Sequence, residues 1–171
     1  MDVTLRRWGA DDLEVLKRVN TPEMTRFLGG GDETDEVLAE RHAEYLDLWE
    51  SGEVRMFRIE VDGEAAGYAG WWEEVHDDMP VYEVGCVVEP QWHGHGVASA
   101  ALSELVRLAA TTGDRHLIVG YAHVDNEASN ALCRRVGFSL VGTGSYPLED
   151  GEDPLSVNVW MIDTAGVSAR P

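Results

Sequence analysis

Apolar and polar residues alternate through VTLRRW (residues 3–8), the two-residue period of a half-buried strand. The period then changes. In GADDLEVLKRVN, Asp11 or Asp12 stands where a helix N-cap is expected, and Thr21-Pro22-Glu23 repeats the start signal with Pro22 at a first helical position. Leu38, Tyr45 and Trp49 fall near helical spacing, which predicts an amphipathic helix over 34–50. RMFRIEV (55–61) and AAGYAGWW (65–72) read as strands joined through Asp62-Gly63-Glu64, a hairpin signal. EEVHDDMP (73–80) reads as an acidic loop.

The second half alternates element types. VYEVGCVV (81–88) is a strand that Pro90 helps to end, VASAALSELVRLAA predicts a helix over about 97–110, and RHLIVGYAH (115–123) is a strand. EASNALCRRV (127–136) predicts a helix, and FSLVGTG (138–144) and SVNVWMI (156–162) the last strands. The fold class is mixed α/β: a largely antiparallel sheet with one parallel strand-helix-strand step and flanking helices. The chain of 171 residues fits a single domain, read as 1–165, with 166–171 as a flexible tail.

Composition narrows the setting. No apolar run approaches the ~20 residues of a membrane helix, and MDVTLRRWGADD has none of the marks of a secretory signal, so a cytoplasmic protein is expected. Cys86 and Cys133 lack metal or disulfide spacing. With 32 acidic residues against 13 Lys and Arg, the net charge is -19, which disfavours nucleic acid and anionic membrane as partners. The acidity fits two readings, a solvated surface in a salt-rich cytoplasm and attraction of a cationic substrate.

EPQWHGHGVAS (89–99) links a strand to a helix, and Gly94 and Gly96 let its backbone turn its N–H groups toward an anion at the helix start. A plain tight turn would also use these glycines. The stretch lacks the lysine of a P-loop, and a dinucleotide fingerprint fails at Ser99 and His116. His93 and His95 have no third or fourth ligand nearby, so no metal is expected.

Gln91-Trp92-His93-Gly94-His95-Gly96 fits the pyrophosphate loop Gln/Arg-x-x-Gly-x-Gly/Ala, and Asn126-Glu127-Ala128-Ser129 with Gly137-Phe138 fits a second segment of the same family. On these motifs, clearest over residues 81–144, the chain resembles the GNAT superfamily of acyl-CoA-dependent N-acetyltransferases, in the branch containing ribosomal-protein N-terminal acetyltransferases. The resemblance implies acetyl-CoA as acyl donor and a primary amine, a small cation or a peptide N-terminus, as acceptor, with the protein acting as monomer or homodimer. It places the pyrophosphate on the backbone amides of His93, Gly94, His95, Gly96, Val97 and Ala98, and the pantetheine arm beside Val87 and Val88, where a backbone N–H polarises the thioester carbonyl. Asn126 and Ser129 would meet the same arm, although Asn126 also suits a helix N-cap.

An ordinary amine is protonated at pH 7 and must lose a proton before it attacks. Related enzymes often carry a carboxylate at the position of Glu83, which is read either as the base or as a strand residue that orients the ammonium. Many members protonate the departing thiolate with a tyrosine where this chain has Cys133, which is read as an acid or as a small buried hydrophobe. Tyr121, Tyr146 and Ser129 are substitutes.

The acceptor pocket is expected between the first helices, the 71–80 segment and the 145–154 loop, with Trp71, Trp72 and Tyr146 as substrate contacts. Glu73, Glu74, Asp77 and Asp78, with Glu149, Asp150, Glu152 and Asp153, form either a negative rim or solvated loops. A catalytically silent acyl-CoA sensor and a nucleotide-binding module are the rival classes.

Overall fold

The computed structural model describes residues 1–29, 32–148 and 151–166. Glu149, Asp150 and residues 167–171 of the expected tail lie outside them. Seven strands, β1 (Val3–Arg7), β2 (Val54–Val61), β3 (Glu64–His76), β4 (Met79–Val88), β5 (Leu117–His123), β6 (Ser139–Tyr146) and β7 (Leu155–Asp163), lie in the order β1-β2-β3-β4-β5-β7-β6. Every neighbouring pair is antiparallel except β4 and β5, so the predicted fold class and its parallel step are both present.

Among the described residues five helices flank the sheet: α1 (Leu13–Val19), α2 (Pro22–Thr25), α3 (Asp35–Asp47), α4 (Val97–Thr112) and α5 (Glu127–Val136). Alternation along β2 sends Met56 toward α1 and α3, where it packs with Leu16, Leu38 and Trp8. Phe57 and Ile59 instead join Leu102 and Leu105 of α4 and Cys133 of α5 in the larger core. Val81, Val119 and Val159 form a third cluster made of strand residues alone. Val159, with Tyr121 and Met161 packed against the cluster, lines a cavity described below.

Local signals explain several boundaries. Thr34 caps α3 by accepting the Val37 N–H, and Asn126 caps α5 by accepting the Ser129 N–H at 3.1 Å. Gly137 ends α5 in the left-handed conformation with φ 104°. Asp12 stands at the N-cap of α1 as expected, but its side chain bonds no helical N–H: it closes a short 3-10 turn by accepting the Gly9 N–H at 2.7 Å and pairs with Arg58 at 2.8 Å.

Two expectations are corrected. The helix expected over 34–50 ends at Asp47, and Trp49 packs edge-on against Phe57 rather than continuing the stripe of Leu38 and Tyr45. Residues 73–80 are no loop: β3 runs to His76, β4 starts at Met79, and Glu73↔Tyr82 through His76↔Met79 stay in register. The turn is Asp77-Asp78, both left-handed at φ 48° and 61°, a pair of values that matches the right-handed twist of a two-residue hairpin. The arm projects beyond the core, so its charged residues remain wet while the backbone stays paired.

Candidate active site

The parallel ladder between β4 and β5 has only two pairs, Tyr82↔Ile118 and Glu83↔Val119. Beyond them the strands part, leaving the facing backbone edges of Val84–Val88 and Gly120–His123 without the ladder that would close them. An extended chain fits such a gap by making strand-like bonds to those edges. Gly120 stands at the apex, where an added Cβ would meet Val84 Cγ2 at 3.7 Å and Cys133 Sγ at 3.9 Å.

At the far end of β4 the quoted loop turns into α4. The first helical bond runs from the Ala100 N–H to the Gly96 carbonyl at 3.0 Å, so Val97, Ala98 and Ser99 keep N–H groups without a helical acceptor. No side chain caps Gly96. Gly94 and Gly96 have φ of 76° and 81°, and a Cβ built on either meets no atom within 4 Å. Their glycines therefore serve the backbone turn and the open space above it rather than packing. Val97 is buried and fixes the helix start to the core. An anion with several oxygens suits this open ring of donors and the positive end of the helix dipole.

Side chains around the loop hold its shape. His93 bonds through Nε2 to the Val88 carbonyl at 2.7 Å, and its ring therefore belongs to the loop. Gln91 donates to Glu89 at 3.1 Å. Glu89 is buried and receives two bonds from Arg18 of α1, at 2.7 and 3.0 Å. Removing the guanidinium leaves a buried carboxylate short of donors, at a cost of about 1–2 kcal/mol for a partner that is itself partly exposed. Arg18→Ala is accordingly expected to lower the urea midpoint and to weaken acetyl-CoA binding several-fold. Titration calorimetry on the purified variant checks the second effect.

On the α1 and α3 face of the sheet, past Trp72, a cavity of about 780 Å³ is floored by Val159, Met161 and Tyr121 and walled by β6. Glu83 lies in it, 7% exposed, and accepts the Tyr146 hydroxyl proton at 2.8 Å. Burial pushes its carboxyl up to about 7, assisted by the charge of Glu74 and opposed by the Tyr146 bond. Tyr121 Oη lies 2.8 Å from His76 Nδ1, and the Tyr121 and Tyr146 ring centroids are 5.2 Å apart. Burial, then the charges of Glu83, Glu74 and Asp77, raise the Tyr121 hydroxyl. The lining includes Glu74, Asp77 and Glu83 and neither Lys nor Arg.

The two tryptophans separate as alternation requires. Trp72 stands opposite Glu83 in register, and its indole covers Gly85, where a Cβ would lie 3.2 Å from the ring. Trp71 faces the core, 2% exposed, between Phe57 and Tyr82. It is enclosed in the core, so its expected substrate contact is corrected. Cys133 is also a core residue, and burial pushes its thiol up to about 11. Such a thiol is a weaker acid than the ordinary thiol it would have to protonate, which corrects its assignment as the acid.

Several contributors had no sequence signal. Arg18, Glu89 and His76 are among them. So is Asn130, buried between α5 and β7, which donates to the His123 and Asn126 carbonyls and accepts from Trp160 and Asn158. It fixes α5 against the sheet with all its polar atoms paired. Among the described residues no group of three or more His, Cys, Asp or Glu could hold a metal ion, and no helix is long and apolar enough to cross a membrane.

The site thus joins a mixed sheet that splits at one parallel pair, an uncapped helix start at one end of the split and a buried carboxylate at the other. Residues 2–139 match the family described as the acetyltransferase (GNAT) domain, and the chain belongs to that family. It is 28% identical over 119 residues to the ribosomal-protein-serine acetyltransferase of Escherichia coli strain K12, covering 68% of this chain and 66% of the relative. It is 31% identical over 136 residues to the mycothiol acetyltransferase of Nocardia farcinica, covering 80% of this chain and 41% of that one. The matches thus span just under two thirds of the first relative and less than half of the second. The structure of spermidine N-acetyltransferase from Vibrio cholerae, in complex with CoA and spermine, superposes with a TM-score of 0.78 at 19% identity, covering 95% of this chain and 96% of that one.

Proposed function

We propose that the chain transfers the acetyl group of acetyl-CoA to a primary amine seated over Glu83. The observation that carries this reading is the end of the β4–β5 ladder at Glu83↔Val119, which brings a buried carboxylate to the mouth of the cleft. Acetyl-CoA supplies an acetyl thioester when bound. The pyrophosphate is assigned to the backbone amides of Gly94, His95, Gly96, Val97 and Ala98, and the pantetheine to the free edge at Val87 and Val88; the expected amide contact of His93 is corrected, because its N–H donates to the Pro90 carbonyl at 3.1 Å. Asn126 and Ser129 flank the other side of the cleft, Asn126 keeping its amide donors while its oxygen caps α5.

The acceptor enters the cavity beside β6. Glu74 and Asp77 attract an ammonium, Trp72 stands beside Glu83 on the neighbouring strand, and Glu83, with Tyr146 bonded to it, takes the proton that keeps the nitrogen lone pair from attack. A carboxyl near 7 is matched to that task, since about half of it is ionised in neutral solution and the ionised form is a stronger base than an ordinary carboxylate. The names of the relatives suggest the panel: spermidine, spermine, a peptide with an amino-terminal serine, and a small amino sugar. Free CoA thiol released with acetyl-CoA and at least one of these amines, above the rate without amine, is the expected result. Tight acetyl-CoA binding with no release for any of them would favour a silent sensor.

A further inference from the structure

The geometry points to Tyr121 as the proton donor to the departing thiolate and to His76 as the positioning residue that donates its Nδ1–H to Tyr121 and resupplies the proton. This rests on the transfer reaction proposed above. Three groups stand near the apex of the cleft with a proton to offer. The Cys133 thiol is buried in the core on the α5 side. The Tyr146 hydroxyl is committed, since its proton lies on the bond to Glu83 at 2.8 Å. Tyr121 stands two residues beyond the last ladder position of β5, in the same cavity as Glu83, with its Oη held 2.8 Å from His76 Nδ1. When His76 donates to that oxygen, the Tyr121 proton is free to point into the cleft.

Energetics make the histidine necessary. A phenol is a weaker acid than a thiol by more than one pKa unit, so tyrosine alone transfers a proton to a thiolate uphill. An imidazolium is a stronger acid than a thiol, and a proton that moves from it to the phenol oxygen as the phenol gives up its own makes the pair's transfer downhill. The surroundings suit that role: His76 Nε2 faces the exposed Asp77 carboxylate at 3.6 Å, and Glu74, Glu83, Tyr121 and Tyr146 are the other titratable groups on the cavity around it.

The balance closes. The N–C bond forms, the C–S bond breaks with its electron pair on sulfur, and the Tyr121 proton passes to sulfur while the His76 Nδ1 proton passes to the Tyr121 oxygen. The acceptor ammonium loses two protons through Glu83, the sulfur gains one through Tyr121, and one net proton reaches solvent. His76 keeps its Nε2 proton beside Asp77 throughout and is reprotonated at Nδ1 from solvent once CoA has left.

The test is made on the free protein and during turnover with the fastest amine of the panel. Histidine ¹⁵N NMR of the free protein is expected to find a proton on His76 Nδ1; an Nδ1 that carries none and accepts from Tyr121 overturns the inference. Tyr121→Phe and His76→Leu are each expected to lower kcat at least tenfold with the KM for acetyl-CoA unchanged. The double variant should be no slower than Tyr121→Phe. His76→Asn, whose amide nitrogen occupies the place of Nδ1, should recover part of the loss, whereas His76→Gln should not. Full activity of Tyr121→Phe, or independent losses that multiply in the double variant, overturns the inference while leaving acetyl transfer intact. Absence of CoA release from the unaltered protein with every amine overturns both, and variants that do not unfold cooperatively are replaced by Tyr121→Trp in the same comparison.

Discussion

Gly94→Glu is expected to weaken acetyl-CoA binding by two orders of magnitude or more while leaving the protein folded. The residue sits at φ 76°, where an L side chain costs about 1–2 kcal/mol, so a fall of several degrees in melting temperature is expected for a chain of this size. No atom lies within 4 Å of the added Cβ, so the first atom of the side chain meets open space. It enters the space over the uncapped start of α4. There it displaces pyrophosphate oxygens from the backbone N–H groups and sets a carboxylate against their charge. Gly94→Ala carries the backbone strain without the charge and should lose much less affinity, and Gly94→Gln should fall between. Raised salt should narrow the difference between Glu and Gln, because screening acts on the charge alone. Titration calorimetry reads all three, and an unchanged affinity of Gly94→Glu would place the pyrophosphate elsewhere.

The parts of the site legible in the sequence are those whose cause is local. Gly94 and Gly96 announce a left-handed turn, and α5 matches its expected span because Asn126 caps one end and Gly137 closes the other. The predicted parallel step follows from the strand-helix-strand order. What escaped was set by distant residues. Glu83 meets Tyr146 across 63 positions, His76 meets Tyr121 across 45, and Arg18 meets Glu89 across 71. Alternation separates Trp71 from Trp72, and only the packing of Phe57 and Tyr82 decides which of them faces the core. Cys133 sits at the expected place on its helix, yet its neighbours make it a core residue. The arm at 73–80 was hidden for a related reason, since paired backbone keeps it extended while its side chains read as a loop.

Glu83→Gln is expected to lower kcat/KM by roughly 10²–10³ near pH 7–8, the range of a lost general base. In the unaltered protein kcat/KM should rise through an apparent pKa of about 7 as Glu83 ionises, and the glutamine variant should lack that rise. The gap between them should narrow at both extremes. In acid Glu83 carries its own proton and no longer helps, and in alkali the free amine needs no base. The same substitution has a stability consequence of opposite sign. In the unfolded chain the carboxyl ionises near 4.5, whereas in the folded protein it keeps its proton until about 7. Between these values the folded state binds the extra proton, so stability falls as pH rises through the window, and above pH 7 ionised Glu83 costs up to roughly 3 kcal/mol. Glutamine can still accept the Tyr146 hydroxyl and carries no charge to bury. The variant should therefore match the unaltered protein below pH 4.5 and exceed it in urea-unfolding free energy above pH 7. A carboxylate kept only to orient the substrate, with an ordinary pKa, would produce neither the rise in kcat/KM nor the gain in stability. Loss of activity together with gain of stability is the signature of a charge buried for its chemistry.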